Sequence, residues 1–112
     1  MIVRKPSILI YTCDADQDLV REICAGIEEE GVLYELAKKQ DSTLDDLAYE
    51  AAEESMLGSG IGIYGKRAAM QMRLVPRGEN VYELNHPSFD QCRCLGANSA
   101  RAVKKLPFKK IY

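Results

Sequence analysis

The sequence lacks several features on which common classes of protein depend. His86 is its only histidine, so a Ser-His or Cys-His catalytic pair or a histidine-rich metal site has little to draw on, and we predict that His86 lies in a surface turn beside Pro87. No apolar run approaches the ~20 residues of a membrane span, and residues 1–6 lack the long apolar stretch of a secretory signal. No GxxxxGKS/T motif occurs, which argues against ATP hydrolysis of the P-loop type by this chain alone. We expect a cytoplasmic protein without a membrane segment.

Cysteine is also scarce. The four cysteines, Cys13, Cys24, Cys92 and Cys94, are sparser and less regularly spaced than in small secreted domains held by disulfides, so free thiols are expected. A Cys-x-Cys pair such as Cys92 and Cys94 can ligate a metal or form a strained disulfide, but zinc sites usually need two such pairs or added histidines. The pattern leaves the role of Cys92 and Cys94 open.

Composition and charge describe what is present. A chain of 112 residues with 46% hydrophobic and 29% charged residues predicts one globular domain over residues 1–112. Residues 14–54 carry 14 acids against three bases, whereas residues 55–112 carry ten bases against three acids. Such asymmetry favours oriented docking onto a protein partner. A pI of about 5.4, with no aromatics interleaved among the bases, argues against a nucleic-acid binder.

The start of the chain predicts a strand, a helix and a strand. Residues 7–11 and 32–36 are short β-prone apolar runs. Apolar residues at helical spacing lie between them: Leu19, Val20, Ile23, Cys24 and Ile27. Acidic residues precede this segment, and Gly31 can end it in the left-handed conformation.

The rest of the chain predicts a second helix, three strands and a closing helix. Residues 42–45 give an N-cap signal, and an apolar stripe continues to residue 56. Strands are predicted at 60–64, 68–75 and 81–84, joined by short turns that make neighbours antiparallel, and the last helix at about 91–105. Right-handed crossovers then favour a three-layer α/β/α sandwich, with a mixed five-stranded sheet of order 2-1-3-4-5 and strand 4 antiparallel.

Three consecutive glutamates close the first helix at its negative end, where their charges need compensation. At roughly 100° per residue they point in three directions. Glu30 falls beside the apolar stripe, Glu28 lies near its far margin, and Glu29 points roughly opposite to it. The run is interpreted either as a solvated helix end or as a site where a metal, or a partner's Lys or Arg, is brought to Glu29 from outside. Glu28 and Glu30 are interpreted as solvated neighbours.

Two segments match sequence patterns of phosphate-handling or nucleotide-binding proteins, but their context does not support that function. The DxD at residues 14–16 follows a strand as in some phosphotransfer enzymes, but the chain has no room for their usual cap domain, and the helix dipole explains the acids. The GxGxxG at residues 60–65 coincides with a strand, so its small residues indicate close packing of a helix or a partner backbone. An alternative function stays open: a free-standing flavodoxin-like domain binding nucleotide or flavin near residues 12–16 and Gly65.

Three stretches of the sequence carry a resemblance to a known family. The first combines residues 21–22 with 26–31, the second runs from residue 48 to 55 and into 60–63, and the third spans 96–108. In this order and spacing they resemble the small subunit of the reactivating factors of coenzyme-B12-dependent diol and glycerol dehydratases, a group related in fold to the dehydratases' own medium subunit.

The resemblance implies a function without catalysis by this chain. It implies a chaperone component that exchanges with a dehydratase subunit so that inactivated cobalamin is released, with no cobalamin bound directly by the chain. It implies a large actin-like ATPase partner, in a hetero-oligomer with two copies of each subunit. It also implies that Glu29 offers a carboxylate to Mg²⁺ held mainly by that partner, as a hard cation prefers oxygen ligands. Association with a bacterial microcompartment is left open.

Overall fold

The chain alternates strands and helices in the computed structural model, which describes residues 5–112. The first four residues of the stretch inspected for a secretory signal lie outside that range. The elements are β1 (Ile8–Cys13), α1 (Gln17–Glu29), β2 (Tyr34–Lys38), α2 (Leu44–Glu54), β3 (Ser59–Tyr64), β4 (Arg67–Met72), β5 (Tyr82–Asn85) and α3 (Phe89–Lys104).

The strands form one mixed sheet in the order β2-β1-β3-β4-β5. β1 lies between β2 and β3 and is parallel to both, whereas β4 is antiparallel to β3 and to β5. The predicted order and the antiparallel fourth strand are confirmed. That strand ends at Met72 rather than at residue 75, because Leu74 adopts a positive φ of 78° and the N–H of Val75 turns back to the Met72 carbonyl.

Helices cover both faces of the sheet, so the predicted three-layer arrangement is confirmed. Alternate residues of β1 point to opposite sides, as strand geometry requires. Ile8 and Ile10 lie in the large core cluster with side chains of α1 and α3. Tyr11 and Cys13 lie in a second cluster with Leu47 of α2 on the other face. The α1 and α3 helices therefore form one layer and α2 forms the opposite one.

Two glycines of β3 let α2 lie directly on the sheet. A Cβ atom at Gly60 would come within 2.2 Å of the backbone nitrogen of Ala52, and one at Gly62 within 2.6 Å of that of Ala48. Neither position could accept a side chain without moving α2. This confirms close helix packing for Gly60 and Gly62, the two glycines of the formal GxGxxG motif that lie within β3.

Side-chain caps fix where the helices begin. Asp16 caps α1 and Thr43 caps α2, while Ser88 and Gln91 form a reciprocal capping box at α3. This box starts α3 at Phe89, two residues earlier than predicted. None of the helices within residues 5–112 is long and apolar enough to cross a membrane.

Candidate functional site at the C-terminal end of α1

The α1 helix ends in carboxylates with no basic residue in its last turn. Its last helical residue is Glu29, Glu30 forms the C-cap, and Gly31 follows with a φ of +74°. Because carbonyl groups also point out of this end, the three glutamates stand where the helix dipole disfavours them. The structure shows that each of the three has a different partner.

Glu30 is neutralised by the neighbouring helix α3. The Nε of Arg101 donates to its Oε2 at 3.1 Å, and Lys104 Nζ lies 3.4 Å from its Oε1 and 2.7 Å from its backbone carbonyl. Burial by itself would raise the pKa of Glu30, but the hydrogen bonds and charges of Arg101 and Lys104 outweigh it and lower the pKa overall. With its side chain only 11% exposed, Glu30 is not the solvated neighbour that was predicted.

Glu29 also binds a cation from α3. Its side chain is 52% exposed, and its Oε2 accepts a hydrogen bond from Arg93 Nη1 at 3.1 Å. The Nε of the same arginine donates to Oε1 of Glu22 at 2.9 Å. Glu22 lies about two helical turns before Glu29 on α1. The positive charge that the sequence led us to expect from outside is thus present within the chain. A metal-binding role for Glu29 is a separate matter and stays a prediction.

Glu28 lies on the side of α1 that faces β2. It is exposed, but its Oε2 accepts a hydrogen bond from the Tyr34 hydroxyl at 3.0 Å. Burial, the bond to Glu28 and the proximity of Cys24 together raise the pKa of Tyr34 well above its ordinary value. The phenol therefore stays protonated and acts as the donor. Burial likewise raises the pKa of the Cys24 thiol.

Two glycines bring α1 and α3 close enough for these contacts. A Cβ atom at Gly26 would lie 2.1 Å from the carbonyl oxygen of Arg93, and one at Gly96 would lie 2.0 Å from that of Ile23. The backbones of the two helices therefore touch at this crossing. Sequence reasoning missed both the crossing and Arg93; glycine in a helix interior, which is unfavourable unless packing needs it, was the available signal.

The cysteines of α3 do not join the glutamates in a metal site. Cys92 is buried and Cys94 half-buried, and both are free thiols, as are Cys13 and Cys24. Burial, with the negative charges of Glu22 and Asp16, raises the pKa of Cys92 to about 11, so its thiol is protonated at neutral pH. Over residues 5–112 the structure has no group of three or more His, Cys, Asp or Glu placed to hold a metal ion. A metal at Glu29 would need further ligands from another molecule.

The loop after β1 uses one of its acidic residues, Asp16, to cap α1. Oδ1 of Asp16 accepts from the backbone N–H groups of Asp18, at 2.9 Å, and Leu19, at 3.3 Å. The N–H of Asp16 donates to the carbonyl of Gly65. Asp14 is exposed with a positive φ of 49°. A phosphate would have to displace the Asp16 carboxylate from the helix N-terminus, which does not favour nucleotide or flavin binding here.

A shallow cleft of about 280 Å³ lies beside this loop. It is lined by Asp16, Asp18, Leu19, Lys66, His86, Pro87 and Phe89. His86 is exposed, as predicted, and its Nδ1 lies 2.7 Å from Oδ1 of Asn85. Two carboxylates facing a single lysine give the cleft no clear preference for an anion.

Known proteins resemble this chain over most of its length. The sequence model of the family described as dehydratase medium subunit matches residues 5–109. The diol dehydratase-reactivating factor small subunit of Klebsiella michiganensis is 33% identical over 107 residues, which make up 95% of this chain and 86% of the relative.

Two solved structures have the same fold. A chain of a diol dehydratase-reactivating factor complexed with ADP and Mg²⁺ is 32% identical, with a TM-score of 0.89 over 95% of this chain and 99% of the other. A chain of a glycerol dehydratase reactivase is 26% identical, with a TM-score of 0.91 over 96% and 100%. Sequence and fold agree over almost the full length of these relatives. The chain therefore belongs to the dehydratase medium-subunit family, among the small subunits of diol and glycerol dehydratase-reactivating factors.

Proposed function

We propose that this chain is a non-enzymatic exchange subunit, which takes the place of a subunit of a B12-dependent diol or glycerol dehydratase so that inactivated cobalamin can leave. One observation carries the proposal. The relatives of this chain include reactivating-factor small subunits, yet its residues 5–109 match the family described as the dehydratase medium subunit. A shared fold permits a shared docking surface, which is the physical requirement for one chain to displace the other.

Any ATPase activity belongs, in this proposal, to a large actin-like partner subunit, with two copies of each subunit in the cytoplasmic complex. Two features of the small chain support that division of labour. Gly60 and Gly62, the first two glycines of its GxGxxG motif, lie beneath α2, and the N-terminus of α1 is capped by Asp16. Neither element is arranged to cradle a phosphate.

Glu29 is proposed as the ligand that this chain offers to Mg²⁺ at the partner interface. A half-exposed carboxylate is a suitable oxygen donor for a hard cation. Since the described residues provide no cluster of three ligands, Glu29 would be one ligand of a shared site and the partner would provide the others. A reactivating factor of the same family has been solved with ADP and Mg²⁺, which makes Mg²⁺ the cation to test first.

Association with the large subunit tests the assignment directly. The tagged chain should retain the reactivase large subunit from the same genome in the presence of Mg²⁺ and ADP, and should release a dehydratase medium subunit when mixed with cobalamin-inactivated enzyme. Size-exclusion chromatography and the absorbance of freed cobalamin report the two events. Retention of neither the large subunit nor a dehydratase subunit would disprove the exchange function.

Replacing Glu29 tests the metal bridge separately. Glu29→Ala should weaken the Mg²⁺-dependent association by about tenfold or more, because an interfacial charge loses its counterpart. Glu28→Ala is the matched control, since it removes the adjacent carboxylate from the same helix turn. Circular dichroism should show both variants folded. Equal affinities for Glu29→Ala and the unmodified chain would remove the metal bridge while leaving the exchange function standing.

A further inference from the structure

Arg93 is shared between two carboxylates of α1. Its Nε donates to Glu22 at 2.9 Å and its Nη1 to Glu29 at 3.1 Å. The two acids differ in exposure, since the Glu22 side chain is 16% exposed and that of Glu29 is 52% exposed. The guanidinium is thus anchored on its sheltered side by Glu22, and its contact with Glu29 faces solvent.

We infer that Arg93 occupies the Glu29 carboxylate when no metal is bound, and that it competes with the metal for this carboxylate. This inference rests on the proposed role of Glu29 at the partner interface. A guanidinium and Mg²⁺ repel each other, and Arg93 already occupies Oε2 of the Glu29 carboxylate, so a metal that approaches this carboxylate competes with Arg93 for it. When Glu29 binds the metal, Arg93 keeps its ion pair with Glu22, so that the arginine is not left without a counter-charge. The contact keeps the carboxylate occupied until a stronger cation arrives.

The competition predicts that removing the arginine strengthens metal-dependent association. Arg93→Gln should bind the large subunit about two- to fivefold more tightly at limiting Mg²⁺, a size in keeping with the modest strength of half-exposed ion pairs. Arg101→Gln is the matched control, because it removes the same charge from the same helix but takes a partner from Glu30 instead of Glu29. It should give no such gain. Affinities are measured by biolayer interferometry over a Mg²⁺ titration.

A double variant separates competition from a general change of charge. In the Glu29→Ala background, Arg93→Gln should give no gain, because the carboxylate for which it competes is gone. Unchanged or weaker binding of Arg93→Gln, or a gain that persists without Glu29, would overturn the inference while leaving the metal bridge intact. No effect of Glu29→Ala alone would instead refute the bridge and the inference together.

The isolated chain provides a readout that does not need the partner. With Mn²⁺ as a paramagnetic probe, the amide signals of residues 22 and 29 should broaden at several-fold lower concentration in Arg93→Gln than in the unmodified chain, because both carboxylates are then free. Thermal unfolding confirms that the variant is folded. Identical Mn²⁺ titrations of the two chains would show that Arg93 does not compete with the metal for Glu29.

Discussion

Three identical neighbouring residues have three different environments at the end of α1. Glu28 accepts from a tyrosine of β2, Glu29 meets a solvent-facing arginine of α3, and Glu30 is largely covered and bound by two bases. The differences follow from the 100° turn between successive residues, which directs each side chain toward another element. Helical geometry could separate the three directions from sequence, but it could not show what stood in each one.

Glu30→Gln should destabilise the fold at neutral pH. The substitution keeps the shape of the side chain but removes the charge that Arg101 and Lys104 both approach. We expect a loss of about 1 kcal/mol in the free energy of unfolding, measured by urea denaturation. Glu79→Gln, at an exposed position in the loop after β4, measures the effect of the charge change alone and should cost little.

The same variant should alter the pH dependence of stability on the acid side. Because the folded state lowers the pKa of Glu30, its ionised form stabilises the fold above the carboxyl's unfolded pKa. That contribution is lost as pH falls through the lowered folded pKa. Unfolding free energies measured from neutral pH downward should therefore converge for Glu30→Gln and the unmodified chain. A constant difference at every pH would contradict this linkage.

At the scale of elements, the contact between α1 and α3 organises the candidate site. The crossing at Gly26 and Gly96 brings the backbones together, and the ion pairs of Arg93 and Arg101 flank it. Sequence periodicity predicted both helices. It could not predict their closeness, because this depends on two glycines that are 70 positions apart in sequence meeting in space.

Gly96→Ala should force the two helices apart. Alanine is the better helix former, so propensity alone would favour the substitution by about 1 kcal/mol. The new Cβ would nevertheless lie 2.0 Å from a backbone oxygen of α1, which cannot move away as a side chain can. We expect a net loss of about 1–3 kcal/mol, measured by urea denaturation.

Ala25→Gly is the comparison for Gly96→Ala, since it changes propensity in the opposite direction at a half-buried position of α1. It should cost about 1 kcal/mol without disturbing the crossing. If Gly96→Ala proved stabilising, the close approach of the helices would be wrong.

At the scale of the whole molecule, the two oppositely charged halves of the sequence fold against each other. Acids of α1 pair with bases of α3, and Arg77 pairs with Asp46 of α2. The pairs between α1 and α3 therefore cancel much of the predicted charge separation within the layer that these two helices form. The opposite layer keeps an acidic excess, because α2 carries five acids and no lysine or arginine between Leu44 and Glu54, and Arg77 pairs with one of them, Asp46.

The acidic α2 layer predicts electrostatic steering toward a basic surface of the partner. The association rate constant with the large subunit should fall several-fold between low and high NaCl, while the dissociation rate constant changes less. The double variant Glu50→Gln/Glu53→Gln should reduce that salt dependence, as measured by stopped-flow fluorescence. Lys109→Gln/Lys110→Gln, which removes two charges of the other sign, is the counterpart and should not slow association. A salt-independent rate would argue against steering.

The sequence by itself determined the order and type of the elements, the strand order, the layers and the family, because these depend on local periodicity, on the handedness of crossovers and on motifs that can be read in one dimension. The tertiary structure decided what the glutamate run contacts. The partners of Glu29 and Glu30 lie 64 and 71 positions further along the chain, and they reach α1 only because glycines let two helix backbones touch. Contacts between distant residues depend on helix separation and side-chain reach, which periodicity does not contain.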